Sequence, residues 1–172
     1  MTAEDRFLVN RYKQGSEEAA KSLIDKYQQR IFALVLYLAG NDRDKAYEIA
    51  ASSFMEAIRS RPFLKDKKSF LIRLVGVAVE KSRNIKIIPS SDDSDFAELP
   101  AEKRKLLRII KTALQALSFN EKAILLLRDQ LHLPYRDIAA ILQISESNAR
   151  TLIIHGRVRL RKKIEEALHG AG

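Results

Sequence analysis

The stretch LPYRDIAAILQISESNARTLIIHGRVRLR, residues 133–161, decides the fold of the C-terminal part of the chain. Its first half places apolar side chains on one face of a short helix, at Ile138, Ala139 and Leu142. A tight turn follows, and the hydroxyl of Ser145 is placed to cap a second helix. The small side chain of Ala139 lets the two helices approach closely. This pattern predicts a helix-turn-helix.

The second helix of this motif carries polar and basic side chains outside an apolar stripe formed by Ala149, Ile153 and Leu160. Such a helix can lie in the major groove of DNA, with residues near its N-terminus reaching base edges. The candidates for base contact are Glu146, Ser147, Asn148, Arg150, Thr151 and Ile154. The candidates for phosphate contact are Arg150, Arg157, Arg159, Arg161, Lys162 and Lys163. The alternative is a solvated basic face without a ligand.

Composition limits the class of protein. Apolar residues make up 46% of the 172 residues, which allows a packed core, and the net charge of +9 favours polyanionic partners. The absence of cysteine excludes disulfides and thiolate metal sites. The N-terminus is too charged for a signal peptide, and no apolar run approaches the roughly 18 residues that span a bilayer. We therefore expect a cytoplasmic protein without membrane insertion.

Nothing in the sequence predicts catalysis. The three histidines, His132, His155 and His169, lack the i, i+4 partners of a helical metal site. No glycine-rich phosphate loop follows a strand, and carboxylate pairs such as Glu17-Glu18 are typical of exposed helix termini. We therefore expect no enzyme, no metal and no cofactor.

Helical periodicity runs through the chain except in NIKIIPSSDDSDFAELP, residues 84–100, where prolines, serines and acidic residues are typical of a linker. The sequence predicts an all-α fold with a helical bundle at 1–84, an acidic linker at 85–100 and a helix-turn-helix domain at 101–172. Within the last domain, Ser118-Phe119-Asn120-Glu121 predicts a capping box at the start of a helix.

Several short motifs match those of a known family. In the second domain they are Tyr135-Arg136-Asp137-Ile138-Ala139, Leu142-Gln143-Ile144-Ser145, and Arg157 with Leu160 and Arg161. In the first domain they are Leu8-Val9 with Gly15, Asp42-Arg43-Asp44-Lys45-Ala46, Phe54 with Ala57, and Ser69-Phe70 with Leu74 and Ala78. In these motifs the chain resembles the small extracytoplasmic-function sigma factors of bacterial RNA polymerase.

The resemblance implies a transcription initiation factor that binds core RNA polymerase and promoter DNA, is monomeric when free and is controlled by an anti-sigma factor. The residues implied to bind the upstream promoter element are Glu146, Ser147, Asn148, Arg150, Thr151, Ile154, Arg157 and Arg161. Those implied to bind and melt the downstream element are Arg59, Arg61, Phe63, Lys67, Lys68 and Arg73. Those implied to dock on the polymerase are Tyr47, Glu48, Ala51 and Ser52.

The chain departs from the family pattern at several of these positions. The docking helix of the family carries a glutamine and an acid where this chain has Ala51 and Ser52. The tryptophan of the following helix is replaced by Arg73, and Leu152 stands where an arginine is common. The turn glycine is replaced by Gln143, which must adopt a left-handed conformation, at a cost of about 1 kcal/mol, or shift the turn.

Two other functions stay open from the sequence. The replacements in the docking helix would suit a sigma-like adaptor or decoy, which binds an anti-sigma factor without directing transcription. A free-standing helix-turn-helix regulator would leave the first domain unexplained, and such regulators usually bind palindromic sites as dimers.

Overall fold

A computed structural model describes residues 3–60, 69–85 and 97–169 of the chain. The helices are α1 (Ala3–Lys13), α2 (Glu17–Leu38), α3 (Arg43–Arg59), α4 (Ser69–Arg83), α5 (Ala101–Gln115), α6 (Phe119–Leu125), α7 (Tyr135–Leu142) and α8 (Glu146–His169). A π-helical turn, Leu126–Gln130, continues α6. None of these described helices has the length and apolar character that crossing a membrane requires.

The chain divides into two compact units. The first contains residues 1–36 and 43–85, and the second contains residues 37–42 and 86–172. The predicted all-α fold, with two helical units and a C-terminal helix-turn-helix, is confirmed. Of the predicted acidic linker, residues 86–96 lie outside the described residues.

Helices α2, α3 and α4 supply most of the core of the first unit, and α1 adds Val9 and Tyr12. The apolar stripe of α2 is buried at Leu23, Tyr27, Ile31, Leu34 and Val35. The inner faces of α3 and α4 are buried at Ala46, Ile49, Phe54, Ala57, Phe70, Leu74, Val77 and Ala78. The apolar side chains recur at helical spacing, so each helix buries one face and exposes the other.

Ion pairs connect the start of α1 with α2. The Nζ of Lys26 on α2 lies 2.6 Å from Glu4 Oε2 and 2.7 Å from Asp5 Oδ1. The Asp5 side chain is buried, and burial together with a hydrogen bond to Asp5 raises the pKa of Tyr27 to about 12. The start of α1 is therefore held by an ionic network as well as by apolar packing.

The capping box predicted at the start of α6 is confirmed. The hydroxyl of Ser118 accepts a hydrogen bond from the N–H of Glu121 at 3.4 Å, and Glu121 Oε2 accepts one from the N–H of Ser118 at 3.0 Å. The Glu121 side chain is only 7% exposed. This reciprocal pair satisfies two N–H groups that the helix itself leaves without partners.

The turn of the helix-turn-helix is built around a residue other than glycine. Gln143 adopts the left-handed conformation, with φ 57° and ψ 43°. Its N–H and that of Ile144 both donate to the carbonyl of Ala139. Ser145 then caps α8, because its hydroxyl accepts from the N–H of Asn148 at 3.0 Å. Of the two expected possibilities, Gln143 therefore adopts the left-handed conformation and the turn is not shifted. The predicted cap by Ser145 is confirmed.

The two helices of the motif pack through the predicted apolar positions. The buried side chains are Ile138, Ala139 and Leu142 on α7 and Ala149 and Ile153 on α8. Leu160 is only half-buried, so the predicted stripe was wrong in extending that far. The reason is length: α7 has only eight residues, and α8 continues well past it. Leu160 instead lines an apolar groove with Leu114 and Leu126.

Candidate nucleic-acid interface

The first turns of α8 present one exposed, mainly polar face. The exposed side chains are Glu146, Ser147, Asn148, Arg150 and Thr151. Ile154, one turn further along, is 61% exposed. Ala149 and Ile153 point the other way, into the core. All six side chains predicted for base contact therefore lie on the solvent side of this helix.

Val158 extends the same face and was not predicted. It follows Ile154 by four residues and is 65% exposed. In the sequence, its position outside the apolar stripe of α8 could have identified Val158 as an exposed side chain. Two large apolar side chains on the outer face of a basic helix suit contact with apolar groups in a DNA groove, such as the methyl group of thymine.

Two arginines converge on the ring of Tyr135 at the start of α7. The guanidinium carbons of Arg128 and Arg150 lie 4.8 Å and 4.6 Å from the ring centroid, within the range of cation–π attraction. Arg128 also donates to the carbonyl of Leu133 at 2.9 Å, and Arg150 donates to Glu146 at 2.6 Å. Arg128 and Tyr135 were not predicted as part of this site, because they precede α8 in the chain and only the fold brings them to Arg150.

The start of α7 adds to the positive potential at this place. Its N-cap residue is Pro134, which provides no side-chain hydrogen bond to the first turn. The N-terminal N–H groups and the dipole of a helix favour an anion. Arg128 and Arg150 lie beside this end of α7, together with two carboxylates, Asp137 in its first turn and Glu146, which pairs with Arg150.

Two further arginines of α8 are bound to carboxylates of other helical segments. Arg157 donates through Nη2 to Asp129 Oδ1 at 2.5 Å and through Nε to Oδ2 at 3.4 Å, and this hydrogen bonding raises the pKa of Arg157. Arg159 Nη1 lies 3.0 Å and 3.1 Å from the two carboxylate oxygens of Glu121. Burial opposes the charge of Glu121, but hydrogen bonds from Ser118 and Arg159 outweigh it and lower the pKa of Glu121.

The last cations of α8 pair along their own helix. Arg161 lies 3.0 Å from Glu165, and Lys162 and Lys163 lie 3.9 Å and 2.8 Å from Glu166. All of these side chains are well exposed. Exposed pairs of this kind contribute little to stability, so their cations can exchange a carboxylate for another anion.

In the first unit, a groove of about 640 Å³ runs between α2 and α3. Two of the predicted docking residues, Tyr47 and Ala51, line it together with Met55, and Tyr47 is 72% exposed. The opposite wall includes Gln28, Gln29 and Phe32 of α2. The other two docking residues, Glu48 and Ser52, are not among the residues that line the groove. Glu48 is exposed, and the Ser52 hydroxyl donates to the carbonyl of Ile49 at 3.1 Å.

Two of the residues predicted to bind the downstream element are described by the structure. Arg59 is exposed at the end of α3. Arg73 on α4 lies 3.2 Å from Glu56 Oε1, and Lys81 lies 3.5 Å from the other carboxylate oxygen. The predicted residues outside the described ranges are Arg61, Phe63, Lys67 and Lys68.

Comparison with known proteins links this geometry to transcription. A family profile, "Sigma-70, region 4", matches residues 107–160. This range contains most of α5, the whole of α6 and α7, and α8 as far as Leu160. The match therefore includes every candidate for base contact on α8.

Two relatives extend the similarity to nearly the whole chain. The chain is 25% identical to the RNA polymerase sigma-H factor of Pseudomonas aeruginosa, covering 98% of this chain and 97% of that protein. It is 26% identical to the ECF RNA polymerase sigma-E factor of Haemophilus influenzae, covering 94% and 95% of the two chains.

A solved structure shares the fold. The structure of CnrH in complex with the cytosolic domain of CnrY aligns with a TM-score of 0.75 and 16% sequence identity. The alignment covers 94% of this chain and 97% of that chain. At this identity the likeness concerns the arrangement of helices.

Proposed function

Because the chain belongs to the extracytoplasmic-function group of sigma factors, we propose that it directs core RNA polymerase to specific promoters and assists promoter opening. One observation carries the proposal. The exposed helix of a helix-turn-helix lies inside the region-4 match, in a chain that is similar to sigma-H along 98% of its length. The function requires no metal or cofactor, and we assign no catalytic residue.

The second unit reads the upstream promoter element through the first turns of α8. Asn148 carries a side chain that pairs bidentately with adenine, and Ile154 can contact a thymine methyl group. Both side chains are exposed on the solvent side of α8, which supports this assignment. Glu146, Ser147 and Thr151 share that face and complete the base-reading surface.

Arg128 and Arg150 bind a backbone phosphate beside the start of α7. Stacking on Tyr135 restrains both guanidinium groups while leaving N–H groups at their edges, and the guanidinium fork matches a phosphate. Arg161, Lys162 and Lys163 supply further phosphate contacts. Each contact should steepen the dependence of log affinity on log salt concentration by about 0.9.

The first unit docks on core polymerase through the groove between α2 and α3. Tyr47 and Met55 expose large apolar surfaces there, and contiguous apolar surface of this kind marks interaction sites. Glu48 and Ser52 add polar groups next to Tyr47 and Ala51 on α3. Because both units belong to one chain, docking makes the contact with upstream DNA intramolecular, so neither affinity needs to be high alone.

The downstream element is bound by the remaining predicted set, Arg59, Arg61, Phe63, Lys67, Lys68 and Arg73. Five of these six residues are cations and the sixth is aromatic. Single-stranded DNA is held by such a combination, because cations follow the backbone and an aromatic ring stacks on an unpaired base.

An anti-sigma factor would inhibit by covering these surfaces. Tyr47 and Met55 on the first unit, and Ile154 and Val158 on the second, offer the exposed apolar side chains for such a partner. The same side chains would then be withdrawn from polymerase and DNA.

The proposal is tested by mixing the purified protein with bacterial core RNA polymerase and assaying comigration and transcription from genomic fragments. Discrete transcripts that core alone does not make are the expected result. Absence of comigration, with helical circular dichroism intact, would favour the adaptor. Binding to palindromic DNA as a dimer without polymerase would favour the free-standing regulator.

A further inference from the structure

Arg157 and Arg159 differ from the other cations of α8 in the partners they have. Arg157 reaches Asp129 on the π-helical turn, 28 residues earlier in the chain, and Arg159 reaches Glu121 on α6, 38 residues earlier. Arg161 instead pairs with Glu165 on its own helix. The first two ion pairs therefore connect helical segments, whereas the third connects neighbours in sequence.

Both of these ion pairs adjoin a close contact between α8 and α6 at Gly156. A Cβ atom at Gly156 would lie 3.4 Å from Leu125 Cγ and 3.5 Å from the carbonyl oxygen of Glu121. Apolar packing at this contact, and of Ala149 and Ile153 against α7, holds the first part of α8. The pairs Arg157–Asp129 and Arg159–Glu121 add a directional restraint to this packing, because they join α8 to the π-helical turn and to α6.

The donor groups of both arginines are already directed at carboxylates. Asp129 accepts from Nε and Nη2 of Arg157, which is the edge that would grip a phosphate. Glu121 is nearly buried and serves the capping box, so removing Arg159 to a phosphate would leave a buried carboxylate without its cation. Binding a phosphate would therefore cost Arg159 its buried partner, and it would cost Arg157 the contact that joins α8 to the π-helical turn.

We infer that Arg157 and Arg159 are positioning residues that hold α8 at the angle at which its first turns reach the bases, and that they do not bind phosphate. The inference rests on the proposed function, since it assigns α8 to DNA. It removes Arg157 from the predicted set of DNA contacts. It also gives Asp129 and Glu121 an indirect role in DNA recognition, because they hold the two arginines.

The test compares the wild-type full-length chain with Arg157→Ala, Arg159→Ala and, as a contact control, Arg150→Ala. Each protein is assayed in complex with core polymerase. Affinity for a random-sequence duplex is measured against salt concentration, and affinity for a promoter fragment active in transcription is measured beside it. We expect the salt slope to stay at the wild-type value for Arg157→Ala and Arg159→Ala and to fall by about 0.9 for Arg150→Ala. Preference for the promoter fragment should fall roughly two- to fivefold in the first two variants, the range that an exposed ion pair is worth.

Asp129→Asn separates positioning from contact without altering the arginine. If the Arg157–Asp129 pair positions α8, its loss predicts weaker promoter binding. If Arg157 instead contacts phosphate, the substitution predicts stronger binding, because Asp129 no longer competes for the arginine. The exchange variant Asp129→Arg with Arg157→Asp should restore promoter preference and keep the fold. A salt slope lowered by about 0.9 in Arg157→Ala, or stronger binding by Asp129→Asn, would overturn the inference. An unchanged slope in Arg150→Ala contradicts only the proposed contact by Arg150. Wild-type protein that shows no promoter preference in complex with core polymerase contradicts the proposed function, whereas a preference that Arg157→Ala and Arg159→Ala retain in full contradicts this inference alone.

Discussion

Arg159 Nη1 lies 3.0 Å and 3.1 Å from the two carboxylate oxygens of Glu121, a residue 38 positions earlier in the chain. The same carboxylate accepts hydrogen bonds from the N–H and the hydroxyl of Ser118. One side chain therefore closes the capping box of α6 and holds α8. The start of α6 and the placement of α8 therefore depend on the same charge.

This arrangement predicts a specific acid sensitivity. The pKa of Glu121 lies below its ordinary value of 4.5, so the stability that it contributes is present above that pH and is lost as the pH falls through the lowered pKa. Glu121→Gln should lower the free energy of unfolding at neutral pH by about 1 kcal/mol and should lose less than the wild type on acidification. Urea unfolding at neutral pH and below 4.5, followed by circular dichroism, measures both. Equal losses of stability on acidification in the wild type and in Glu121→Gln would show that the titration of Glu121 does not cause this pH dependence.

The Glu121 contacts also mark what the sequence could predict. The Ser118–Glu121 box and the Ser145 cap were predicted because their partners lie three residues apart, so that local pattern defines them. The pairing of Arg159 with Glu121 was not, because only packing of α8 on α6 brings the two together. From the sequence alone, Arg159 was therefore predicted to contact phosphate.

Gln143 provides a test of the turn. Gln143→Gly should raise the free energy of unfolding by about 1 kcal/mol, because glycine adopts the observed left-handed conformation without the steric cost of a side chain. Gln143→Val is the opposing control and should destabilise, since a β-branched residue is strongly disfavoured there. Thermal unfolding of both variants checks the pair. A Gly variant no more stable than the wild type would argue that the left-handed conformation carries no strain.

Gly76 provides a test of helix packing in the first unit. It lies within α4, and a Cβ atom there would meet nothing within 4 Å. Gly76→Ala should therefore stabilise the protein by about 1 kcal/mol through helix propensity.

At Gly156 a Cβ would touch Leu125, so Gly156→Leu is expected to destabilise by forcing α8 away from α6. Urea denaturation measures the free energy of unfolding of both variants. A destabilised Gly76→Ala variant, or a Gly156→Leu variant as stable as the wild type, would contradict the respective prediction.

The docking groove makes a prediction about polymerase affinity. Tyr47→Ala and Met55→Ala should each weaken binding to core polymerase roughly tenfold or more, as truncation of a buried interface anchor does. Phe7→Ala is the control, because Phe7 is an exposed aromatic on α1 that does not line the groove. Binding can be measured by fluorescence anisotropy with labelled protein. Equal effects of all three substitutions would indicate general destabilisation in place of docking.

Restoring the family residues tests the adaptor directly. Ala51→Gln with Ser52→Glu should create polymerase binding in a protein that has lost it. A sigma factor that already binds tightly should gain little from the same change. A large gain from a non-binding wild type, in the same titration, would therefore favour the adaptor over the proposed function.

The candidate site was predictable in part, for physical reasons that differ between residues. Asn148 and Ile154 could be placed on the outer face of α8 because helical spacing alone separates that face from Ala149. Arg128 and Tyr135 could not be predicted as partners of Arg150, since their meeting depends on the turn between α7 and α8 and on the end of α6. Helical period assigns faces, whereas contacts between elements require the fold.

The central claim is tested most directly by mapping transcript start sites made by bacterial core RNA polymerase on genomic DNA. The wild-type protein is compared with the double variant Asn148→Ala and Arg150→Ala, after comigration with polymerase has been verified for both. We expect the wild type to produce discrete start sites that share an upstream sequence element, and the variant to lose them while still binding polymerase. Start sites identical to those of core alone, or an unchanged set of promoters with the variant, would contradict the account.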